Sequence, residues 1–140
     1  MYGPATDWQD GRIFISSESA VQIPAEMIRY GVTKIAQVGL ARGLDETTAG
    51  TGVTVNAVLA GPTRSEGVAG FVEQLARQRG AGAREVEREF FQSARPSSLL
   101  RRFASPDEVA ALVAFVASPL SSATNGAALR ADGGVVRAAL

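Results

Sequence analysis

Val53-Thr54-Val55-Asn56-Ala57-Val58-Leu59 is a β-branched and apolar run, stopped at once by Ala60-Gly61-Pro62. An apolar run of this length reads as a strand covered on both faces, and the Gly-Pro step ends it because proline has no amide hydrogen for a ladder. Before it, residues 25–46 hold no proline, and Met27, Ile28, Val32, Ile35, Val38, Leu40 and Leu44 recur mostly at three- and four-residue spacing. That spacing predicts a helix of about six turns. Earlier still, Arg12-Ile13-Phe14-Ile15 is another short run of strand formers, ended by Ser16-Ser17. Its continuous apolarity again predicts a strand covered on both faces. Strand, crossover helix and strand make a right-handed βαβ unit with parallel strands.

Past the second strand, residues 66–79 and 84–94 carry helical periodicity, separated by Gly80-Ala81-Gly82-Ala83. Ser105-Pro106-Asp107-Glu108 is a strong helix start: serine caps, proline takes the first helical position, and glutamate three residues on completes a capping box. The helix it opens is apolar nearly all round, with Val109, Ala110, Leu112, Val113, Phe115 and Val116, which predicts deep burial. Asn125-Gly126 leads into a last short strand over residues 127–131, closed by Asp132-Gly133-Gly134. The order β-α-β-α-α-α-β predicts an α/β layer arrangement with about three parallel strands and flanking helices. The first dozen residues read as a connection.

With 140 residues, 46% of them hydrophobic and 20% charged, the chain suits one modest domain able to bury a core. Fourteen basic residues balance fourteen acidic ones, which argues against nucleic acid as a partner, since phosphate binding needs a basic excess. Cysteine and histidine are both absent. Disulfides, thiolate sites, Ser-His-Asp triads and most zinc sites go with them, so no metal site is expected. Acid–base chemistry must rest on Tyr, Lys, Asp or Glu. The longest apolar run, residues 109–117, is well short of the roughly 20 residues that span a bilayer. The N-terminus lacks the basic region and apolar core of a signal peptide, so the expectation is a soluble, cytoplasmic chain with no membrane partner.

The chain has two tyrosines, Tyr2 and Tyr30, and one lysine, Lys34. Tyr30 and Lys34 lie four apart on the predicted helix and therefore share a face, one turn from each other. A phenol is a poor acid–base group at neutral pH, and a neighbouring ammonium favours the phenolate. The same spacing also describes an exposed pair on a solvated face. Ser17 stands thirteen residues before Tyr30, at the end of the first strand. Ligands of open parallel sheets bind at the carboxyl ends of strands, where a serine could donate to a substrate oxygen gaining negative charge. It could equally cap a turn, and Ser16 and Ser19 compete for the role. At the end of the second strand, Ala60-Gly61-Pro62-Thr63 makes a tight bend, either an ordinary turn or one where a flat ring or amide comes close to the glycine.

Taken together and in order, Ser17, Tyr30-Gly31-Val32-Thr33-Lys34, the Asn56-containing strand, Gly61-Pro62-Thr63 and Asp132-Gly133-Gly134 resemble the short-chain dehydrogenase/reductase family. The resemblance covers about residues 11–134. It implies that Tyr30 is the proton donor or acceptor, and that Lys34 binds the nicotinamide ribose and steadies the phenolate. It implies that Ser17 orients a carbonyl or alcohol, and that the backbone of Gly61, Pro62 and Thr63 meets the nicotinamide carboxamide. The reaction implied is hydride transfer between NAD or NADP and a small-molecule carbonyl or alcohol.

The family pattern also has a first half with a glycine-rich strand-to-helix phosphate loop, and no such loop stands in this sequence; Gly80-Ala81-Gly82 lacks the preceding strand and the third glycine. The resemblance thus maps to the C-terminal half of a doubly wound, Rossmann-like sheet, and residues 1–140 read as a single partial domain. Weak or no dinucleotide binding and little turnover are expected of it alone, and one edge of the first strand should be bare. Residues 65–103 fall where family members place a substrate lid. There Phe71, Phe90, Phe91, Leu99 and Leu100 are expected mostly in the core, and Arg77, Arg79, Arg84, Arg88, Arg101 and Arg102 mostly in solvent, with an acidic or thioester-carrier substrate as a further option. Ala60 replaces the family's usual proline and should loosen the turn. Family members form oligomers through the helix at 25–46 and through the last helix and strand. A homo-oligomer is therefore expected, or else a non-catalytic chain that associates with a full-length relative.

Overall fold

The computed structural model of the protein describes residues 11–139. Tyr2 and most of the expected N-terminal connection lie outside them. Three strands, β1 (Arg12–Ser17), β2 (Val55–Ala60) and β3 (Ala128–Ala131), form one parallel sheet in the order β1-β2-β3. Ser17, Ala60 and Ala131 are level with one another across it. The carboxyl ends of all three strands therefore open on one rim.

Helix α1 (Ile28–Thr47) joins β1 to β2 and packs against both. Val55, Ala57 and Leu59 share one face of β2 by the strand period of two, and form a buried cluster with Ala41, backed by Val38 and Phe14. The helix starts later than its sequence pattern, because Pro24 leads into a short 3-10 turn over Ala25–Met27. Asn56, only 1% exposed, accepts from the Ala127 N–H (3.0 Å) and donates to the Thr124 carbonyl (2.9 Å), tying β2 to the entry of β3. Asn125 accepts from the Val55 N–H on the same approach. Both side-chain amides serve to build the sheet.

Helices α2 (Glu66–Arg79) and α3 (Ala83–Ser93) pack on each other above the rim, around Val72, Ala76, Val86, Phe91 and Phe103. Gly80, in the left-handed conformation, ends α2, and Gly82 precedes α3. Phe90, Phe91 and Phe103 meet with centroids 5.0–5.1 Å apart. Of the five large side chains expected mostly in the core here, only Phe91 is buried. Phe90 is half-buried, Phe71 is 63% exposed and Leu99 83% exposed, because the cluster closes around Val72, Val86 and Phe103 instead. The six arginines expected in solvent are all exposed.

Helix α4 (Pro106–Val116) opens with the expected capping box: Ser105 Oγ accepts from the Glu108 N–H, and Glu108 Oε2 accepts from the Ser105 N–H. Deep burial does not follow. Only Val116 is buried and Phe115 is 45% exposed, because α4 meets β2 and β3 along one stripe and its remaining apolar surface has no partner among the described residues. The same holds for β1. It pairs with β2 alone, so one edge is bare as expected, but Ile15 is 47% exposed where coverage on both faces was expected, because α1 packs on only one of them.

Candidate active site

Tyr30 and Lys34 stand one turn apart on α1, with the Lys34 ammonium 5.4 Å from the centre of the Tyr30 ring. The helical spacing has put both on one face. Lys34 Nζ donates to Gln37 Oε1 (3.1 Å) and reaches the Ile15 carbonyl at 3.4 Å, which steers the ammonium toward the sheet rim. Ser16, at the end of β1, donates to the Lys34 carbonyl (2.8 Å) and pins this turn of α1 to the strand. Its proton is spent on architecture.

Gly31 fixes how close α1 comes to that rim. A Cβ at this position would lie 2.6 Å from Ile23 Cγ2 and 2.9 Å from the Ser19 carbonyl oxygen, so only glycine lets α1 seat against the chain just after β1. That chain is a 3-10 turn over Glu18–Ala20, capped by Ser17. The outcome is that Ser17 and Tyr30 line one cleft. Ser19 also lines it; its Oγ is buried and has no hydrogen-bond partner among the described residues.

Ser17 was expected to offer its proton to a substrate. In this structure the hydroxyl donates to Glu18 Oε2 (2.5 Å) while accepting from the Ser19 N–H (3.1 Å). A hydroxyl has one proton and two lone pairs, so the capacity left over is that of an acceptor. Glu18 is itself held by Arg95, whose Nε donates to Glu18 Oε1 at 3.1 Å, and the two residues are 4% and 8% exposed. Arg95 arrives from the segment after α3, places its guanidinium 6.0 Å from the Phe90 ring, and has Glu26 at 3.5 Å as a second carboxylate. Sequence reasoning missed this buried pair. Glu18 and Arg95 are 77 positions apart, and neither position differs in the sequence from a solvated charge.

At the end of β2, Ala60 continues the strand in register with Ser17 and Ala131, and the bend starts at Gly61. The glycine is needed there for a reason unrelated to ligands: a Cβ would lie 2.6 Å from Asp132 Cα and from the Asp132 carbonyl oxygen. The Gly61 N–H donates to the Ala131 carbonyl, the Pro62 carbonyl accepts from the Ala104 N–H, and the Thr63 carbonyl accepts from the Ser65 N–H. What remains is the Thr63 N–H, which has no acceptor among the described residues, on a residue lining the cleft. A planar carboxamide fits that single open donor.

The cleft has a volume of about 490 Å³ and is roofed by α2 and α3. Among the described residues no cluster of three or more His, Cys, Asp and Glu side chains could hold a metal ion. No helix among them is long and apolar enough to cross a membrane.

The family model described as enoyl-(acyl carrier protein) reductase matches residues 7–136. The chain belongs to the short-chain dehydrogenase/reductase family. Within the family it is 46% identical over 130 residues to the uncharacterized oxidoreductase YvaG of Bacillus subtilis, covering 92% of this chain and 49% of that protein. It is 33% identical over 131 residues to D-beta-hydroxybutyrate dehydrogenase of Cupriavidus necator, covering 93% of this chain and 49% of that enzyme. Its fold superposes on L-sorbose reductase from Gluconobacter frateurii, solved with NADPH and L-sorbose, at a TM-score of 0.83 and 23% identity, over 92% of this chain and 48% of that one. The chain thus spans about half the length of the relatives it matches, and its three parallel strands with flanking helices are half of a Rossmann-like doubly wound sheet.

Proposed function

We propose that this chain supplies the acid–base and nicotinamide-facing half of an NAD(P)-dependent oxidoreductase acting on a small-molecule carbonyl or alcohol. One observation carries the reading: the Tyr30 phenol, with an ammonium 5.4 Å from its ring, shares a cleft at the strand ends with Ser17. NAD or NADP, when bound, supplies the hydride. Tyr30 hands its hydroxyl proton to the substrate oxygen in reduction and takes it back in oxidation. Lys34 keeps one N–H free of Gln37 and Ile15 for a ribose hydroxyl. The Thr63 N–H receives the carboxamide. Ser17 holds the substrate oxygen beside Tyr30 by turning its hydroxyl from Glu18 and donating to that oxygen, which leaves the alcohol's single proton for Tyr30 in the oxidative direction. The α2–α3 region, residues 65–103, acts as the substrate lid over the cleft. No Gly-rich phosphate loop stands in the sequence, so the diphosphate has no helix N-terminus here to rest on, and the chain by itself binds cofactor weakly.

Turnover measured as loss of NADH or NADPH absorbance over a carbonyl panel tests this in two arms. The chain alone is expected to show little or no rate. The chain co-expressed with the phosphate-binding half of a relative such as YvaG is expected to turn over. Robust rates from the chain alone would overturn the half-site reading, and no rate in either arm would overturn the enzyme reading.

A second reading is favoured by a separate observation. Ile28, Val32, Ile35 and Leu40 on α1 are 44–59% exposed, as are Phe115 on α4 (45%) and Leu120 just beyond it (84%). Such apolar surface fits self-association or docking onto a full-length relative. Co-purification with a relative, without turnover by the pair's short member, favours this non-catalytic role.

A further inference from the structure

The walls of the cleft carry information about what enters it. Met27, Val68, Val72, Leu75 and Phe90 give it an apolar lining, with Phe71 at its mouth 63% exposed. Four charged residues touch it, and each already has a partner. Arg95, the one buried cation, is held by Glu18 at 3.1 Å, with Glu26 at 3.5 Å. Arg79 at the solvent side is paired with Glu89 at 2.9 Å, both about half exposed. A substrate carboxylate or phosphate entering here meets no unpaired cation. It would lose its water to an apolar wall and face the neighbouring Glu18 charge. An uncharged group loses nothing comparable.

We propose that the cleft selects an uncharged, largely apolar ketone or its secondary alcohol, and that the Glu18 carboxylate enforces this by neutralising Arg95. The inference rests on the proposed function for the identity of the reacting group, but its selectivity follows from the cleft alone. Its volume, about 490 Å³, lies within the roughly 300–1,000 Å³ of small-molecule pockets. A molecule the size of a phenyl-substituted alkyl ketone fits.

The test is a titration of the whole chain with two probes of the same shape, 4-phenyl-2-butanone and 3-phenylpropanoate, followed by methyl resonances of Met27, Val68 and Val72. The ketone is expected to shift these signals, with the acid binding at least tenfold more weakly. Glu18→Gln should narrow that ratio by freeing Arg95. Glu89→Gln, at an exposed position where folding is not at stake, should narrow it less, since Arg79 stays in water. Equal or tighter binding of the acid to the unaltered chain would overturn the proposal, and so would absence of ketone binding. A ratio unmoved in a folded Glu18→Gln variant would overturn the role of Glu18; if that variant does not fold, Glu89→Gln leaving the ratio unmoved counts against the charge argument in the same way. The titration involves neither cofactor nor turnover. A chain that binds the ketone in an assembly that never reduces it refutes the reaction and leaves the selectivity standing, whereas turnover of carboxylates does the reverse.

Discussion

Replacing Arg95 by methionine isolates the contact on which the Ser17 side of the site rests. Methionine keeps the unbranched apolar stem, so packing against Phe90 is largely retained, but the guanidinium is lost. Glu18, 4% exposed, is then left with the Ser17 hydroxyl at 2.5 Å as its one strong side-chain partner. Removing one member of a buried ion pair typically costs about 3–5 kcal/mol, because the other charge stays buried and unmatched. The surviving Ser17 hydrogen bond places the expected loss near the lower end, about 3 kcal/mol. For a chain of this size that corresponds to a fall in Tm of roughly 6–12 °C. The assay is thermal and urea unfolding of Arg95→Met, Glu18→Gln and the double variant. The double variant should be more stable than additivity predicts by about 1–3 kcal/mol, since neither charge is then stranded. A single variant within about 1 kcal/mol of the unaltered chain, with no coupling, would refute the claim that this pair is buried and mutually dependent.

Four further variants probe the frame. Gly31→Ala should destabilise the chain by about 1–3 kcal/mol, since its methyl meets Ile23 and the Ser19 carbonyl; the steric cost is checked by urea unfolding, and near-neutral behaviour would contradict the close seating of α1. Phe91→Ala should cost about 3–5 kcal/mol in the same assay, as Phe91 is buried between Phe90 and Phe103, whereas Leu99→Ala, at 83% exposure, should cost little. The Glu108 carboxyl, gripped first by both Arg102 nitrogens and then by the Ser105 N–H, is held at about 2 against an ordinary 4.5. Its stabilisation is therefore full above pH 4.5 and lost as pH falls toward 2. The Tm gap between the unaltered chain and Glu108→Gln should close across that window, and a gap independent of pH would contradict the capping geometry.

Local signals carried the fold well. The run ending at Ala60-Gly61-Pro62, the Ser105 capping box and the glycines flanking residue 81 each act within a few positions, so their structural outcome is legible before any packing is known. The Tyr30–Lys34 face was legible for the same reason. What failed were readings that depend on neighbours far away in the chain. An apolar helix such as α4 is buried only if something covers each of its faces, and a strand such as β1 is buried on both faces only if a helix packs on each. Phe71 lines the cleft and Leu99 lies over Gly134, both outside the small α2–α3 core. The donation of the Ser17 proton to Glu18 was hidden because it follows from the burial of Glu18 with Arg95, a pairing between residues 77 positions apart.

The measurement that bears most directly on the site is the rate of hydride-coupled proton transfer in the complemented assembly carrying Tyr30→Phe. Loss of the phenol should reduce kcat by about 10²–10⁴-fold while ketone affinity, read by the methyl titration, changes little. A rate within a few-fold of the unaltered assembly would contradict Tyr30 as the acid–base group.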